Sequence, residues 1–301
     1  MSKIVVLTPT FNREKELFKL YDSLKKQKNK EFEWLIIDDG STDSTSDVVN
    51  SFIDEDMIRI KYIYQPNGGK ARALNKGFEY CESAIVFMVV DSDDYLLVTA
   101  IETLSEYIKK YKGNESIGGF FFYYHTQKGE ILKTSGKLIS KDKILTRYQY
   151  NNKYKQNDGC VCYLGSAVKK YRYPEFDNEN YVGPTVIQLE MSDRYKFVFS
   201  PKIVGVAEYL EGGLSKRGRK LRLKNPLGML YYSKLIMNSK SKLTVRLKNS
   251  LLIWPYAKLA KKNYVEIIRC FKMPIILSLT YFPGKLLHYT WIRKYNKHRS
   301  L

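Results

Sequence analysis

Ala84-Ile85-Val86-Phe87-Met88-Val89-Val90-Asp91-Ser92-Asp93-Asp94 is an unbroken apolar run that ends in three acids within four residues. Seven apolar residues without alternation describe a strand covered on both faces, the kind found in parallel sheets. The same rhythm precedes it three times. Residues 4–7 are a short apolar run closed by Pro9, residues 34–37 are a second, and Ile58, Ile60, Tyr62 and Tyr64 alternate as a third. Helical spacing fills the intervals. Leu17, Leu20, Tyr21 and Leu24 fall at i, i+3, i+4 and i+7, and Val48, Val49, Phe52 and Ile53 follow a cap at Ser41-Thr42-Asp43. Leu74 and Phe78 follow Gly68-Gly69, and Val98, Ile101, Leu104 and Ile108 come after the acids. Four β-α repeats in residues 1–112 predict an α/β fold, a mostly parallel sheet flanked by helices. Ligands of such sheets gather at the carboxyl ends of the strands, here just beyond Leu7, Ile37, Tyr64 and Val90.

From residue 117 to residue 210 the pattern is mixed, with a strand at 120–124, shorter strands and a helix near 186–195. The charge then changes character. Residues 216–301 hold 21 Lys and Arg and one acid, Glu266, so they carry the whole net charge of +20 and the first 215 residues are neutral. The expected organisation is therefore an α/β domain over 1–215 and a basic, aromatic, helical appendage over 216–301. A basic tail implies an anionic surface, whereas uniform basicity would imply nucleic acid. Trp254, Tyr256, Phe271, Trp291 and Tyr295 among the cations suit a helix lying in a membrane interface. The longest apolar stretch, 273–283, is too short to span a bilayer, which takes about 20 residues. Oligomerisation is the competing use of the tail. No nucleic-acid recognition motif is present.

Cys81, Cys160, Cys162 and Cys270 make neither a disulfide framework nor a zinc site, because Cys160-x-Cys162 has no second pair. Met1-Ser2-Lys3 runs directly into a strand-like segment, so no secretory leader is expected. The expected location is the cytoplasm, peripheral at the inner face of the cell membrane.

Chemistry is expected at the strand ends. Carboxylates crowded as in Asp91-Ser92-Asp93-Asp94 repel one another unless a cation joins them, and hard oxygen ligands suit Mn²⁺ or Mg²⁺. Such an ion binds a diphosphate and offsets the charge on it as it leaves. The plain alternative is an acidic turn capping the next helix. Asp38-Asp39-Gly40-Ser41 is either a strand-tip turn or a carboxylate placed to accept from a nucleobase N–H. Gly68-Gly69-Lys70-Ala71-Arg72 opens a helix with cations that could neutralise phosphate, or is a solvated first turn.

Pro9-Thr10-Phe11-Asn12, Asp38-Asp39-Gly40-Ser41, Asn67-Gly68-Gly69 with Arg72 and Asn75, and Asp91-Ser92-Asp93-Asp94 together resemble the family 2 glycosyltransferases of GT-A fold, the type that builds bacterial envelope and capsule polysaccharides. The match in order and spacing covers about residues 3–112 and continues more weakly to about 215. The resemblance implies a nucleotide-sugar donor, a UDP-sugar, a divalent metal (Mn²⁺ or Mg²⁺) and inversion at the anomeric carbon. It implies that Pro9 and Phe11 line the nucleotide pocket, that Asp39 pairs with uracil and that Arg72 approaches the diphosphate. Asp91 and Asp93 would form the Asp-x-Asp site, with Asp93 the direct metal ligand. The acceptor would be a glycan or a lipid-linked glycan. Inversion also needs a carboxylate to take the acceptor proton. Similar proteins place it before the last long helix of the domain, a position that falls here near Pro184. Glu179 and Asp177 are the nearest substitutes, and Glu190 is more remote. Two rivals remain: a non-catalytic sugar-nucleotide-binding or partner protein of the same fold, and a nucleotidyltransferase. The second should carry a glycine-rich loop after the first strand, and residues 8–13 have no glycine. Tyr209-Leu210-Glu211-Gly212-Gly213-Leu214-Ser215 is either a flap that closes on the diphosphate or a linker to the tail.

Overall fold

The computed structural model describes residues 4–80, 84–132, 136–154, 158–207 and 214–296, with side chains in the last segment from residue 218 to residue 294. Residues 209–213 of the proposed flap, and Cys81, lie outside the described residues. Contacts divide the chain into two compact units, Met1–Tyr173 with Ile187–Glu208, and Pro174–Val186 with Tyr209–Leu301. The contact division falls at residue 208, not at the charge boundary 215/216, and residues 174–186 group with the C-terminal segment.

The first unit follows the expected rhythm: β1(Ile4–Thr10), α1(Leu17–Lys25), β2(Phe32–Asp38), α2(Thr45–Asp54), β3(Ile60–Tyr64), α3(Lys70–Tyr80) and β4(Val86–Val89). β1, β2 and β4 are buried at every position, as their continuous apolar runs require. β3-β2-β1-β4 pair in that order and all in parallel. The helix expected to be capped at Ser41-Thr42-Asp43 begins at Thr45 with Ser44 as its N-cap, and Asp43, one residue earlier, accepts from Thr45 N at 3.1 Å and Thr45 Oγ1 at 2.6 Å.

Beyond β4 the sheet turns mixed. β5(Tyr95–Leu96), α4(Ala100–Lys110), β6(Ile117–His125), β7(Lys143–Leu145), α5(Arg147–Tyr154), β8(Gly159–Leu164), α6(Gly165–Val168), α7(Val186–Met191) and β9(Lys196–Val206) complete the unit. β8 runs antiparallel between β4 and β6, β9 runs parallel to β6, and β5 and β7 both pair antiparallel with β9. Cys160 and Cys162 are buried free thiols on β8. Tyr21, Trp34 and Phe52 stack under α1 and α2, Tyr21 and Phe52 with ring centroids 4.0 Å apart.

The second unit is helical: α8(Leu214–Lys224), α9(Pro226–Ile236), α10(Leu243–Leu259), α11(Tyr264–Phe271) and α12(Pro274–Asn296). Its core gathers Met229, Ile253, Trp254, Phe271, Leu277 and Trp291. Among the described residues no helix is long and apolar enough to cross a membrane.

The strand-tip turn after β2 depends on Gly40. Its φ is +84°, and a Cβ there would lie 2.6 Å from the backbone nitrogen of Asn67. Gly40→Ala is expected to cost about 1–3 kcal/mol, the cost of holding a side chain in a left-handed conformation. A urea midpoint equal to that of the parent protein would show that the turn yields.

Candidate active site at the strand ends

Parallel register brings the ends of the first four strands level. Thr10 pairs with Asp38 and Asp38 with Tyr64. Asp39 N donates to Thr10 O at 2.8 Å, Gln65 N to Asp38 O at 2.8 Å, and Val90 N to Leu7 O at 3.1 Å. The loops beyond β1 and β2 then lock together. Asn12 N donates to Ser41 Oγ at 2.8 Å, while Asn12 Oδ1 accepts from Thr42 N at 2.8 Å. Arg13 N reaches Thr45 Oγ1 at 2.9 Å. Pro9 is buried within β1, and Phe11, one residue past it, is 44% exposed. Tyr64, at the end of β3, is 59% exposed. Both are exposed aromatic side chains at strand ends, a residue type on which a nucleobase could stack.

The two acids of the second strand tip have different surroundings. Asp38 accepts from Ser41 N at 2.8 Å and from the hydroxyl of Tyr62 at 2.5 Å, which binds it into the turn. Asp39 is buried and accepts from Gln65 Nε2 at 2.8 Å, Gly68 N at 2.8 Å, Gly69 N at 2.7 Å and Asn67 Nδ2 at 3.3 Å. Burial raises its pKa; the bonds from Gly68, Gln65 and Gly69 oppose that, and Asp38 adds to it. A uracil N3–H directed at Asp39 would share an oxygen that already accepts from the protein, and the Asn67 amide is the longest of these bonds. Sequence reasoning missed Gln65, and no periodicity or composition would have marked it.

The third cluster is the densest in charge. Lys70, at the start of α3, donates to Asp91 Oδ2 at 2.6 Å and also to Asp91 Oδ1. Burial would lower the Lys70 pKa, but Asp91, then Asp94 and Asp93, outweigh it and raise it. Arg13 Nη2 lies 3.9 Å from Asp93 Oδ2. Burial first, then the charge of Asp91, raises the Asp93 carboxyl. Asp94, deeper still, is pushed up to about 9 by burial, Asp91 and Asp93. Three carboxylates thus gather around the cations Lys70 and Arg13, and burial, with the neighbouring carboxylate charge added to it, holds Asp93 and Asp94 above the usual carboxylate range. The donor set would suit a divalent cation at Asp93, whose contact with Arg13 is long, with Asp91 joining once Lys70 turns to the phosphates. Among the described residues no group of three or more His, Cys, Asp or Glu side chains is arranged to hold a metal ion by itself. Mg²⁺ and Mn²⁺ sites of the open kind take their remaining ligands from water and phosphate.

Arg72 bends back to its own loop, Nη1 donating to Gly68 O at 3.3 Å. Asn75 is structural: its amide donates to Tyr173 O at 2.9 Å and accepts from Tyr173 N at 2.8 Å.

The acids near Pro184 fall in different places. Glu179 belongs to the second unit, where its two oxygens accept from Leu227 N at 2.7 Å and Gly228 N at 2.8 Å. It therefore caps α9, whose first residue is Pro226. Burial raises its pKa and the two N–H bonds hold it back. Asp177 is exposed beside it, on the same cleft of about 450 Å³. Glu190, in α7, belongs to the first unit. Burial and Tyr163 push the Tyr173 hydroxyl well up, and the charges of Asp91 and Glu190 both add to that shift. Glu179→Ala is expected to lower stability by about 1–2 kcal/mol through loss of the cap. An unchanged thermal midpoint would free Glu179 from that duty.

Comparison with known proteins agrees with the layout. The profile described as Glycosyl transferase family 2 matches residues 5–172. Glycosyltransferase GlyA of Streptococcus pneumoniae is 34% identical over 41% of this chain and 18% of its own length. The GalNAc(5)-diNAcBac-PP-undecaprenol beta-1,3-glucosyltransferase of Campylobacter jejuni is 34% identical over 50% of this chain and 48% of its own. The chain thus spans less than half the length of these curated relatives. Among solved structures, Staphylococcus aureus TarS 1-349 in complex with UDP-GlcNAc superposes with a TM-score of 0.62 at 16% identity, covering 94% of this chain and 79% of that one. A mannosyltransferase of Pyrobaculum calidifontis in complex with GDP-Man and Mn²⁺ gives 0.56 at 14% identity, covering 95% and 83%. The fold is that of the GT-A glycosyltransferases, and the profile match over more than half its length shows that the chain belongs to glycosyl transferase family 2.

Proposed function

We propose that the protein is an inverting glycosyltransferase that moves a sugar from a UDP-sugar to a growing glycan or lipid-linked acceptor, in the synthesis of a bacterial capsule, exopolysaccharide or other envelope glycan. The observation that carries this reading is the strand-end arrangement, in which Asp39 sits among loop N–H groups and Asp91, Asp93 and Asp94 crowd around Lys70 and Arg13. Named relatives act on an undecaprenol-linked glycan and on poly(ribitol-phosphate), both bacterial envelope materials. Residues 1–215 would be the catalytic domain and 216–301 the appendage that keeps it at the inner face of the membrane.

In this proposal Phe11 and Pro9 flank the base and Asp39 accepts from it, while Lys70, Arg72 and Arg13 lie near the phosphates. Asp93, with Asp91, would hold Mn²⁺ or Mg²⁺, which supplies neutralisation of the leaving diphosphate. The acceptor oxygen attacks the anomeric carbon as the bond from that carbon to the diphosphate oxygen breaks, and the acceptor proton passes to a carboxylate. Glu179 or Asp177 is the proposed base. The capping bonds of Glu179 favour a second placement, Glu190, which lies in the same unit as the aspartates. Glutamine substitution at each separates them: the base variant loses transfer in single turnover yet keeps UDP affinity and thermal midpoint.

The whole reading is tested by calorimetric titration of UDP and GDP with Mn²⁺ and with EDTA. UDP binding that needs Mn²⁺ and exceeds GDP binding is expected. Equal binding in EDTA would remove the metal and leave the phosphate to Lys70, Arg72 and Arg13. No binding of either nucleotide would sink the donor site, and the non-catalytic reading would take its place.

A further inference from the structure

Ile275, Leu279, Phe282, Leu286 and Tyr289 follow one another along α12 at steps of four, three, four and three residues. That spacing places all five on one side of the helix. Each is 63–78% exposed, although five large apolar side chains in a row ordinarily mark a buried face. The opposite side of α12 is already occupied. Leu277, Gly284 and Trp291 are buried, a Cβ on Gly284 would lie 2.5 Å from the Trp254 ring of α10, and Trp254 Nε1 donates to Thr280 Oγ1 at 3.3 Å. The exposed stripe is thus held outward by a packed helix pair.

Charge identifies what covers it. Exposed Lys272, Lys285, Arg293 and Lys294 accompany the stripe, and α12 contains no acid. A 3.5-residue seam also suits a second helix. Two copies paired along it would bring together segments of 21 bases and one acid each, with nothing in either α12 to partner Lys285. Glu266, the single acid, is already engaged by Lys262 at 3.1 Å and by its own helix start. An anionic bilayer satisfies both features at once, taking the apolar residues between its headgroups and pairing the cations with lipid phosphate.

We infer that the Ile275-Leu279-Phe282-Leu286-Tyr289 face of α12 inserts shallowly into an anionic lipid surface, with Lys285 and the flanking cations on the headgroups. This deepens the membrane placement proposed above and is independent of the donor site. It is a claim about apolar insertion at one face, beyond general basicity of the tail. The test uses the full chain in flotation with vesicles of phosphatidylglycerol and phosphatidylcholine in equal parts, against phosphatidylcholine alone. Binding to the anionic vesicles is expected, and Leu279→Glu with Phe282→Glu should lower the partition coefficient at least about tenfold. Both side chains are exposed, so the change opens no cavity, and circular dichroism with UDP titration checks the fold. A second variant, Phe282→Trp, should show quenching of the new indole by brominated acyl chains. Flotation of the double variant equal to wild type, or an unquenched Trp at 282, would overturn insertion and leave electrostatic adsorption. A wild-type chain that ignores vesicles but forms a dimer that the double variant dissociates would overturn it in favour of a second copy. Loss of UDP binding in wild type with flotation intact would strike the donor reading alone.

Discussion

Asp93→Ala is expected to reduce Mn²⁺-dependent UDP affinity to the level measured in EDTA, and to slow sugar transfer by about 10³-fold, roughly 4 kcal/mol of transition-state stabilisation. Three observations set this expectation. Asp93 lies four residues past the all-buried β4 and is still partly open, with its side chain 21% exposed. It is held above the usual carboxylate range by burial and by Asp91, the condition that a cation relieves. Its ion pair with Arg13 is long at 3.9 Å, whereas both oxygens of Asp91 are engaged by Lys70. Asp93 is therefore the member of the cluster with most to gain from a metal. Removing it also relieves repulsion on Asp91 and Asp94, so the variant should fold at least as stably as the parent. Lost binding with a raised or equal thermal midpoint is the signature. A variant that keeps the full difference between Mn²⁺ and EDTA titrations would mean that Asp93 is not the ligand.

What the sequence disclosed and what it hid follow from the range of the interactions involved. β1, β2 and β4 were legible because burial on both faces leaves no polar position to alternate with, and acids directly after such a run stand out. Gly40 was legible as a turn, but its reason, the approach of Asn67, spans 27 residues of sequence. The partners of Asp39 come from the loop after β3, and those of Glu179 from a helix start 48 and 49 residues away. Neither contact leaves any periodic trace. The antiparallel insertion of β8 between β4 and β6 was equally silent, since β8 carries no turn signal linking it to either neighbour. The α12 stripe is a different case. Its spacing was present in the sequence, but residues at helical spacing are usually core, and only the packed opposite face shows which side is left outward.

Asp94→Asn is expected to stabilise the metal-free protein, with a gain that grows with pH. A carboxyl with a raised folded-state pKa keeps its proton in the native protein over a range in which the unfolded chain has released it. The native state then binds more protons than the unfolded state from about pH 4, the ordinary aspartate value, up to about 9 for Asp94. Stability must fall as pH rises through that window, and it is fully present only below it. Asparagine is neutral and of the same shape, so it removes the penalty: little change near pH 4, and about 2 kcal/mol or more near pH 8. Urea denaturation in EDTA across this range measures it directly. Mn²⁺ should shrink the difference, because a cation between Asp91 and Asp93 offsets the two carboxylate charges that raise Asp94, leaving burial as the main cause. Parallel pH profiles for the two proteins in EDTA would show that Asp94 titrates normally and that the cluster is less crowded with charge than its geometry indicates. A stability gain joined to a loss of transfer would instead identify crowding at this strand end as a cost retained for function.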